Sequence, residues 1–249
     1  MGGADNRHRG KLVAISGATG GLGREIAAQF AAEGASLLLI DRSADTLAAM
    51  AERFPGARAL VCDQTDPAQI SRTCEAAGAV DIFVNNAGII LRKSLIEHSD
   101  EDIDAVLSTN LSGAIRMALG FARRMQLPAG GNGGVIVNLA TQHAFAGGAG
   151  RGIYATSKAG IVQFTKSAAA EFAPLGIRVF AVAPGPVAND MTAAARESPE
   201  YRAAVTQRMP IGRFLESPEI AALVVNLCRP SMSALVGATV LADGGGTLS

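Results

Sequence analysis

The stretch Leu12-Val13-Ala14-Ile15-Ser16-Gly17-Ala18-Thr19-Gly20-Gly21-Leu22-Gly23 decides the fold. Four consecutive apolar residues, Leu12 to Ile15, read as a strand buried on both faces, because a half-exposed strand would alternate. Glycines interrupt it at once. A helical pattern follows, with Leu22, Ile26 and Phe30 on one stripe and Gly34 as its stop. A glycine-rich turn between a buried strand and a helix N-terminus points bare backbone N–H groups, and the positive end of the helix dipole, at a phosphate. Asp41 closes the next apolar run, Ser36 to Ile40, 20 residues after Gly21. A carboxylate there can accept from both hydroxyls of an adenosine ribose. Glycines alone would fit an ordinary tight turn; strand, helix and spaced carboxylate together favour a dinucleotide site.

Outward from that stretch the alternation continues. Ser43 to Phe54 reads as a helix stopped by Pro55-Gly56, Ala59 to Cys62 as a third strand, and Asp66 as the cap of a helix reaching Ala77. Asp81 to Val84 is a fourth strand running into Asn85-Asn86-Ala87-Gly88. A helical pattern from about Asp100 passes Asn110 toward Met125 and is either long or broken near Gly113. Gly130 to Gly134 reads as a flexible turn before the strand Val135 to Leu139. A long helix from about Ile153 to Phe172 leads to the strand Ile177 to Val182. After a less regular stretch, a helix from Pro218 to Cys228 precedes a last strand, Ala238 to Leu241. Seven strands separated by helices predict an α/β fold, a doubly wound parallel sheet with helices on both faces.

Composition narrows the class. The 249 residues carry 22 Lys+Arg against 22 Asp+Glu, which argues against a sequence-independent nucleic-acid binder. With 49% hydrophobic and 18% charged residues the chain is too apolar for disorder. No run approaches the ~20 apolar residues of a membrane span. No Pro/Ser-rich linker divides it, so residues 11–249 read as one domain behind a polar, flexible tail, residues 1–10. Cys62, Cys74 and Cys228 show no C-x-x-C spacing and read as buried free thiols, so the expected location is cytoplasmic. The 29 glycines stand well above the usual ~7%, and this excess calls for a structural reason.

The spacing of Gly17, Gly21 and Gly23, with Asn85-Asn86-Ala87-Gly88 and Tyr154-Ala155-Thr156-Ser157-Lys158, resembles the short-chain dehydrogenase/reductase family. The resemblance runs from Lys11 to Asp243-Gly244-Gly245 and implies a single Rossmann-like domain that binds a nicotinamide cofactor. It places Gly17, Thr19, Gly21, Leu22 and Gly23 at the pyrophosphate, and Asp63 and Gln64 at the adenine. Asn86, Ala87 and Gly88 would line the ribose; Pro184, Gly185 and Val187 would grip the carboxamide, with Asn189 where the family usually has threonine. The Asp41 carboxylate would repel the 2′-phosphate of NADP and bind the free diol of NAD. Arg42 beside it can favour that phosphate or equally stack on adenine. Gly20 stands where NADP-preferring members often carry a basic residue, so NAD is the expected cofactor.

Tyr154 and Lys158, four apart, share one helix face. A free tyrosine, pKa ~10, is a poor base at neutral pH. A nearby ammonium and the positive nicotinamide ring would pull that value down and let Tyr154 act as general acid/base. The resemblance also assigns Lys158 to the nicotinamide ribose, and Asn110 to a water that completes a proton relay. Thr141 holds the position, 13 residues before the tyrosine, where the family usually has serine. Threonine keeps the hydroxyl while its methyl stiffens χ1; loss of the serine function is the alternative.

Gln142, His143 and Arg151 beside these residues, with Arg92 and Lys93 after the Asn-Asn-Ala-Gly turn, would suit a hydroxylated or carboxylated substrate. The segments from Asn85 to Lys93 and from Gly131 to Gly148 are similar to those of gluconate and deoxygluconate dehydrogenases. That implies a secondary alcohol/ketone reaction on a sugar, polyol or sugar acid. The loop from Asn189 to about Met209 is expected to be the substrate lid, with Glu197, Tyr201 and Arg202 as candidate contacts. A 3-oxoacyl-(acyl-carrier-protein) reductase shares every motif, with Gly20 and Asp41 against it; a catalytically idle NAD-binding scaffold is a further alternative. By resemblance a homotetramer is expected, built on the long helices and the apolar C-terminal end, with a small-molecule substrate and no nucleic acid, membrane or metal.

Overall fold

Strand β1 (Leu12–Ser16) turns Val13 and Ile15 into one core and Ala14 into another, one on each face of the sheet. Every central strand therefore needs apolar residues at successive positions, which is why these segments read as continuous runs. A computed structural model describes residues 6–125 and 133–248 of the chain. After β1 come α1 (Gly21–Ala32), β2 (Ser36–Asp41), α2 (Ala44–Glu52), β3 (Arg58–Val61), α3 (Pro67–Ala77) and β4 (Ile82–Asn85). The second half holds α4 (Asp100–Leu107), α5 (Ala114–Met125), β5 (Gly134–Leu139), α6 (Gly152–Phe172) and β6 (Ile177–Pro184). It ends with β7 (Val187–Ala188), α7 (Ala193–Arg196), α8 (Pro199–Arg208), β8 (Leu215–Glu216), α9 (Ser217–Leu227) and β9 (Thr239–Ala242).

Seven parallel strands lie in the order β3-β2-β1-β4-β5-β6-β9, as the expected doubly wound sheet requires. The order reverses between β1 and β4, where the connections leave toward opposite edges and a crevice opens at the carboxyl ends. The pair β7·β8, two residues each, is too short to have a sequence pattern. Helices α1, α2 and α9 cover one face and α3, α5 and α6 the other; Phe83 of β4 stacks on Phe121 of α5 at 4.3 Å. Asp66 caps α3 as expected, accepting from the N–H groups of Ala68 and Gln69 at 2.8 and 3.3 Å. Such a cap contributes ~1 kcal/mol.

The segment from Asp100 to Met125 does not break at Gly113. It passes through one π-helical stretch, Ser108–Gly113, between α4 and α5. A Cβ at Gly113 would overlap the carbonyl oxygens of Gln64 and Ser108, so only glycine lets this stretch lie against the loop after β3. Of the expected tail, residues 6–10 are described and anchored: His8 is buried, its Nδ1 lies 2.8 Å from Glu33 Oε2, and its ring meets Phe30 edge-on. Residues 1–5, and the turn at Gly130 up to residue 132, lie outside the described residues. All three cysteines are free and buried. No described helix is long and apolar enough to cross a membrane.

Candidate active site

Ties between β1 and β4 form the floor of the crevice. Ser16 Oγ accepts from the N–H groups of Asn86 and Ala87 at 3.1 and 3.2 Å, and Asn86 Nδ2 donates to the carbonyls of Ser16 and Gly17. Gly17 adopts φ +64° with Ala87 Cα only 2.7 Å from where a Cβ would stand, so a side chain here is excluded twice. Helix α1 follows with no side-chain cap, which leaves the N–H groups of its first turn to whatever occupies the crevice.

The crevice is a cleft of ≈ 810 Å³ lined by nearly every predicted residue. Gly17, Thr19, Gly21, Leu22 and Gly23 form one wall, with Asp41, Arg42, Asp63 and Gln64 at its far end. Asn86, Ala87 and Gly88 lie in the middle, and Pro184, Gly185, Val187 and Asn189 face them. Thr141, Gln142, His143, Arg151, Tyr154, Lys158 and Arg92 close the other end. Asn110 is the exception: it is fully buried behind the wall, inside the π-helical stretch. There it exchanges hydrogen bonds with the backbone of Ile89 at 2.8 Å and donates to Ser157 Oγ at 3.2 Å. Lys93 is also turned aside, its Nζ paired with Asp102. Of the expected lid contacts, Tyr201 lines the cleft; Glu197 and Arg202 do not.

Several side chains are already committed to the protein. Asp41 Oδ2 accepts from both the N–H and the hydroxyl of Thr19, at 3.1 and 2.8 Å, and Oδ1 from the Arg42 N–H at 2.8 Å. A carboxylate oxygen takes about two donors, so Oδ1 keeps capacity for one ligand hydroxyl, not the two expected from sequence. Asp63 Oδ1 is occupied by the N–H and hydroxyl of Thr65. Gln64 sends its Nε2 to the Thr109 carbonyl at 2.7 Å, tying the adenine end to the π-helical stretch.

At the other end, Lys158 is buried with Nζ on the Leu139 carbonyl at 2.7 Å, and burial lowers its pKa to about 8. Burial raises the Tyr154 phenol above its ordinary value, opposed by a hydrogen bond with Thr141 and by the charges of Arg92 and Arg151. His143 falls to about 4 through burial and the same two arginines, so the ring is neutral near pH 7.

A family model described as enoyl-(acyl carrier protein) reductase matches residues 17–247. Galactitol 2-dehydrogenase (L-tagatose-forming) of Cereibacter sphaeroides is 37% identical over 251 residues, covering 96% of this chain and 96% of its own length. A 3-oxoacyl-(acyl-carrier-protein) reductase of Vibrio harveyi is 35% identical, covering 95% of this chain and 97% of its own. The crystal structure of a gluconate 5-dehydrogenase from Burkholderia cenocepacia J2315, in complex with NADP and tartrate, superposes with a TM-score of 0.93 at 28% identity, covering 99% of this chain and 98% of that one. The chain belongs to the short-chain dehydrogenase/reductase family.

As a short-chain dehydrogenase/reductase it is an oxidoreductase with an NAD(P)-binding fold, and its cleft fits a dinucleotide. The uncapped α1 N-terminus can take a pyrophosphate. Buried, unpartnered acceptors remain at Gln142 Oε1 and Asn189 Oδ1, beside the Pro184–Val187 loop. Sequence reasoning missed two parts of this short-chain dehydrogenase/reductase site. One is a buried polar chain behind it: Asn85 Nδ2 donates to Asn138 Oδ1, and Asn138 Nδ2 to Thr165 Oγ1, each at 3.0 Å. Its signal was two asparagines at the carboxyl ends of otherwise apolar runs, Asn85 last in β4 and Asn138 next to last in β5, which pair in register. The other is the contribution of Thr247 to the rim, for which no local pattern exists; Arg208 and Met209, also on the rim, end the stretch expected as the lid.

Proposed function

We propose that this protein is an NAD-dependent oxidoreductase that interconverts a secondary alcohol and its ketone on a sugar, polyol or sugar acid, with Tyr154 as general acid/base. The observation that carries the reading is the meeting of Tyr154, Thr141 and Lys158 at one end of a cleft whose other end is built for a nucleotide. Bound nicotinamide would accept or supply the hydride. Thr141, whose side chain acts on the Tyr154 phenol, would orient the substrate oxygen; its hydroxyl remains where the family usually has serine. In reduction the Tyr154 hydroxyl gives its proton to the carbonyl oxygen, and in oxidation the phenolate takes it back. Lys158 holds the nicotinamide ribose from α6. Asn110, behind the wall, supports the π-helical backbone next to it.

NAD rather than NADP is supported by Asp41, whose carboxylate lines the cleft, and by Gly20, which offers no cation to a 2′-phosphate. A cytoplasmic homotetramer is part of the proposal. Ile96, beside α4 and 95% exposed, and Leu248, 85% exposed, are apolar side chains such an assembly would cover. The family-model description and the Vibrio relative favour a second reading, reduction of a 3-oxoacyl thioester. One experiment separates them: purified protein with NAD or NADP, and a panel of polyols, sugar acids and a 3-oxoacyl thioester, followed by absorbance of the reduced nicotinamide. Turnover of the thioester alone would overturn the proposal. Nucleotide binding without turnover of any alcohol or ketone would favour an idle scaffold.

A further inference from the structure

Two guanidiniums stand unpaired at the substrate end of the cleft. Arg92 reaches it from the loop after β4, and Arg151 from the residue that begins α6. Arg24, Lys93 and Arg213 by contrast have carboxylate partners, Asp190, Asp102 and Glu219. Among the described residues neither Arg92 nor Arg151 has a carboxylate partner. Both line the cleft together with Tyr154 and His143 and act on these two side chains. Gly148 places two of these four together: a Cβ there would stand 3.4 Å from His143 Nδ1 and 3.9 Å from an Arg151 nitrogen. The acidic residues of the cleft lie elsewhere, Asp41 and Asp63 at the nucleotide end and Asp190 in its ion pair. The charges that act on Tyr154 are Arg92 and Arg151; Arg208 of α8, likewise without a carboxylate partner among the described residues, and the buried Lys158 line the same cleft.

Resting on the oxidoreductase reading above, we propose that Arg92 and Arg151 form a carboxylate-binding subsite, and that the substrate is a small hydroxy acid. A planar guanidinium takes a carboxylate through paired N–H···O bonds, and two of them fix its orientation as well as its charge. A neutral polyol would leave both cations facing the ligand without compensation, and a long acyl chain would bury them against methylenes at a cost. His143, held neutral, serves a hydroxyl as donor or acceptor instead of competing for the anion. The same arrangement gives the arginines a second effect. They are positive groups that favour phenolate at Tyr154, so a carboxylate between them weakens that pull and leaves the phenol a weaker acid and its phenolate a stronger base.

The test pairs gluconate with glucitol, the neutral polyol of the same skeleton, on NAD-loaded protein, read first by thermal shift and calorimetric titration. Gluconate is expected to bind at least tenfold more tightly than glucitol. Arg92→Gln and Arg151→Gln should each weaken gluconate about tenfold, with NAD affinity as the control that the cleft is intact. Rising ionic strength should raise the KM of the acid, since the subsite opens to solvent. Equal binding of gluconate and glucitol, or a double variant that binds gluconate like the parent, would overturn the subsite. Arginine-dependent gluconate binding without turnover of any alcohol would instead overturn the oxidoreductase reading and leave the subsite standing.

Discussion

Burial and charge pull the Tyr154 phenol in opposite directions, and which neighbours supply the charge is a matter of tertiary structure. Arg92 and Arg151 lie 62 and 3 positions from it in sequence, yet both act on it in space. Removing the hydroxyl in Tyr154→Phe should cut turnover by ~10²–10⁴-fold, the usual worth of a positioned acid/base. Fluorescence titration should find NAD affinity nearly unchanged; substantial residual turnover would remove the assignment. Lys158 carries a different cost. Its pKa falls from 10.5 in the unfolded chain to about 8 in the fold. The unfolded chain therefore binds more protons between these values, and stability rises with pH across them. Below that window the buried ammonium costs on the order of 3 kcal/mol, less ~1 kcal/mol for its hydrogen bond to Leu139. Lys158→Met should raise Tm by about 4–8 °C at pH 7 while abolishing turnover. It should also flatten the rise between pH 8 and 10, below the range where Tyr154 titrates. A lower Tm in that variant would mean the lysine is structurally favourable.

At the scale of elements, the glycine-rich turn, the Asp66 cap and the apolar strands were legible because each depends on residues adjacent in sequence. The π-helical stretch Ser108–Gly113 was not. It is held from loops 45 and 21 positions away, by Gln64 on Thr109 and by Ile89 on Asn110. The sequence pattern left a long or a broken helix equally open; the answer is a continuous one with altered winding. Gly113→Ala tests the close approach. Its Cβ would press on the carbonyls of Gln64 and Ser108, an overpacking cost of ~1–3 kcal/mol, read as a drop in Tm of roughly 2–12 °C. An unchanged Tm would show that the loop after β3 yields freely. The lid was equally opaque. Helix α8 has no buried residue and little apolar periodicity, so its placing of Tyr201 and Arg208 over the cleft rests on contacts, not on its own pattern.

For the whole molecule, the sheet order places the nucleotide wall and the Tyr154 end on opposite sides of one switch point, so a ligand bridging them should stabilise the entire fold. NAD at 100 times its Kd should add ~2.7 kcal/mol, about 5–10 °C in Tm. NADP at the same concentration should add much less if Asp41 selects as proposed; equal shifts would show that its carboxylate does not discriminate. By itself the sequence determined the alternating architecture, the glycine turn, the carboxylate ending β2 and the Tyr154/Lys158 face. Those follow from local periodicity, backbone sterics and fixed helical spacing. Only the tertiary structure decided that Thr19 already occupies Asp41, that Asn110 sits behind the cleft wall and not in it, and that two arginines act on Tyr154. Hydrogen-bond commitments and electrostatic neighbours depend on distances between segments, and folding alone sets those distances.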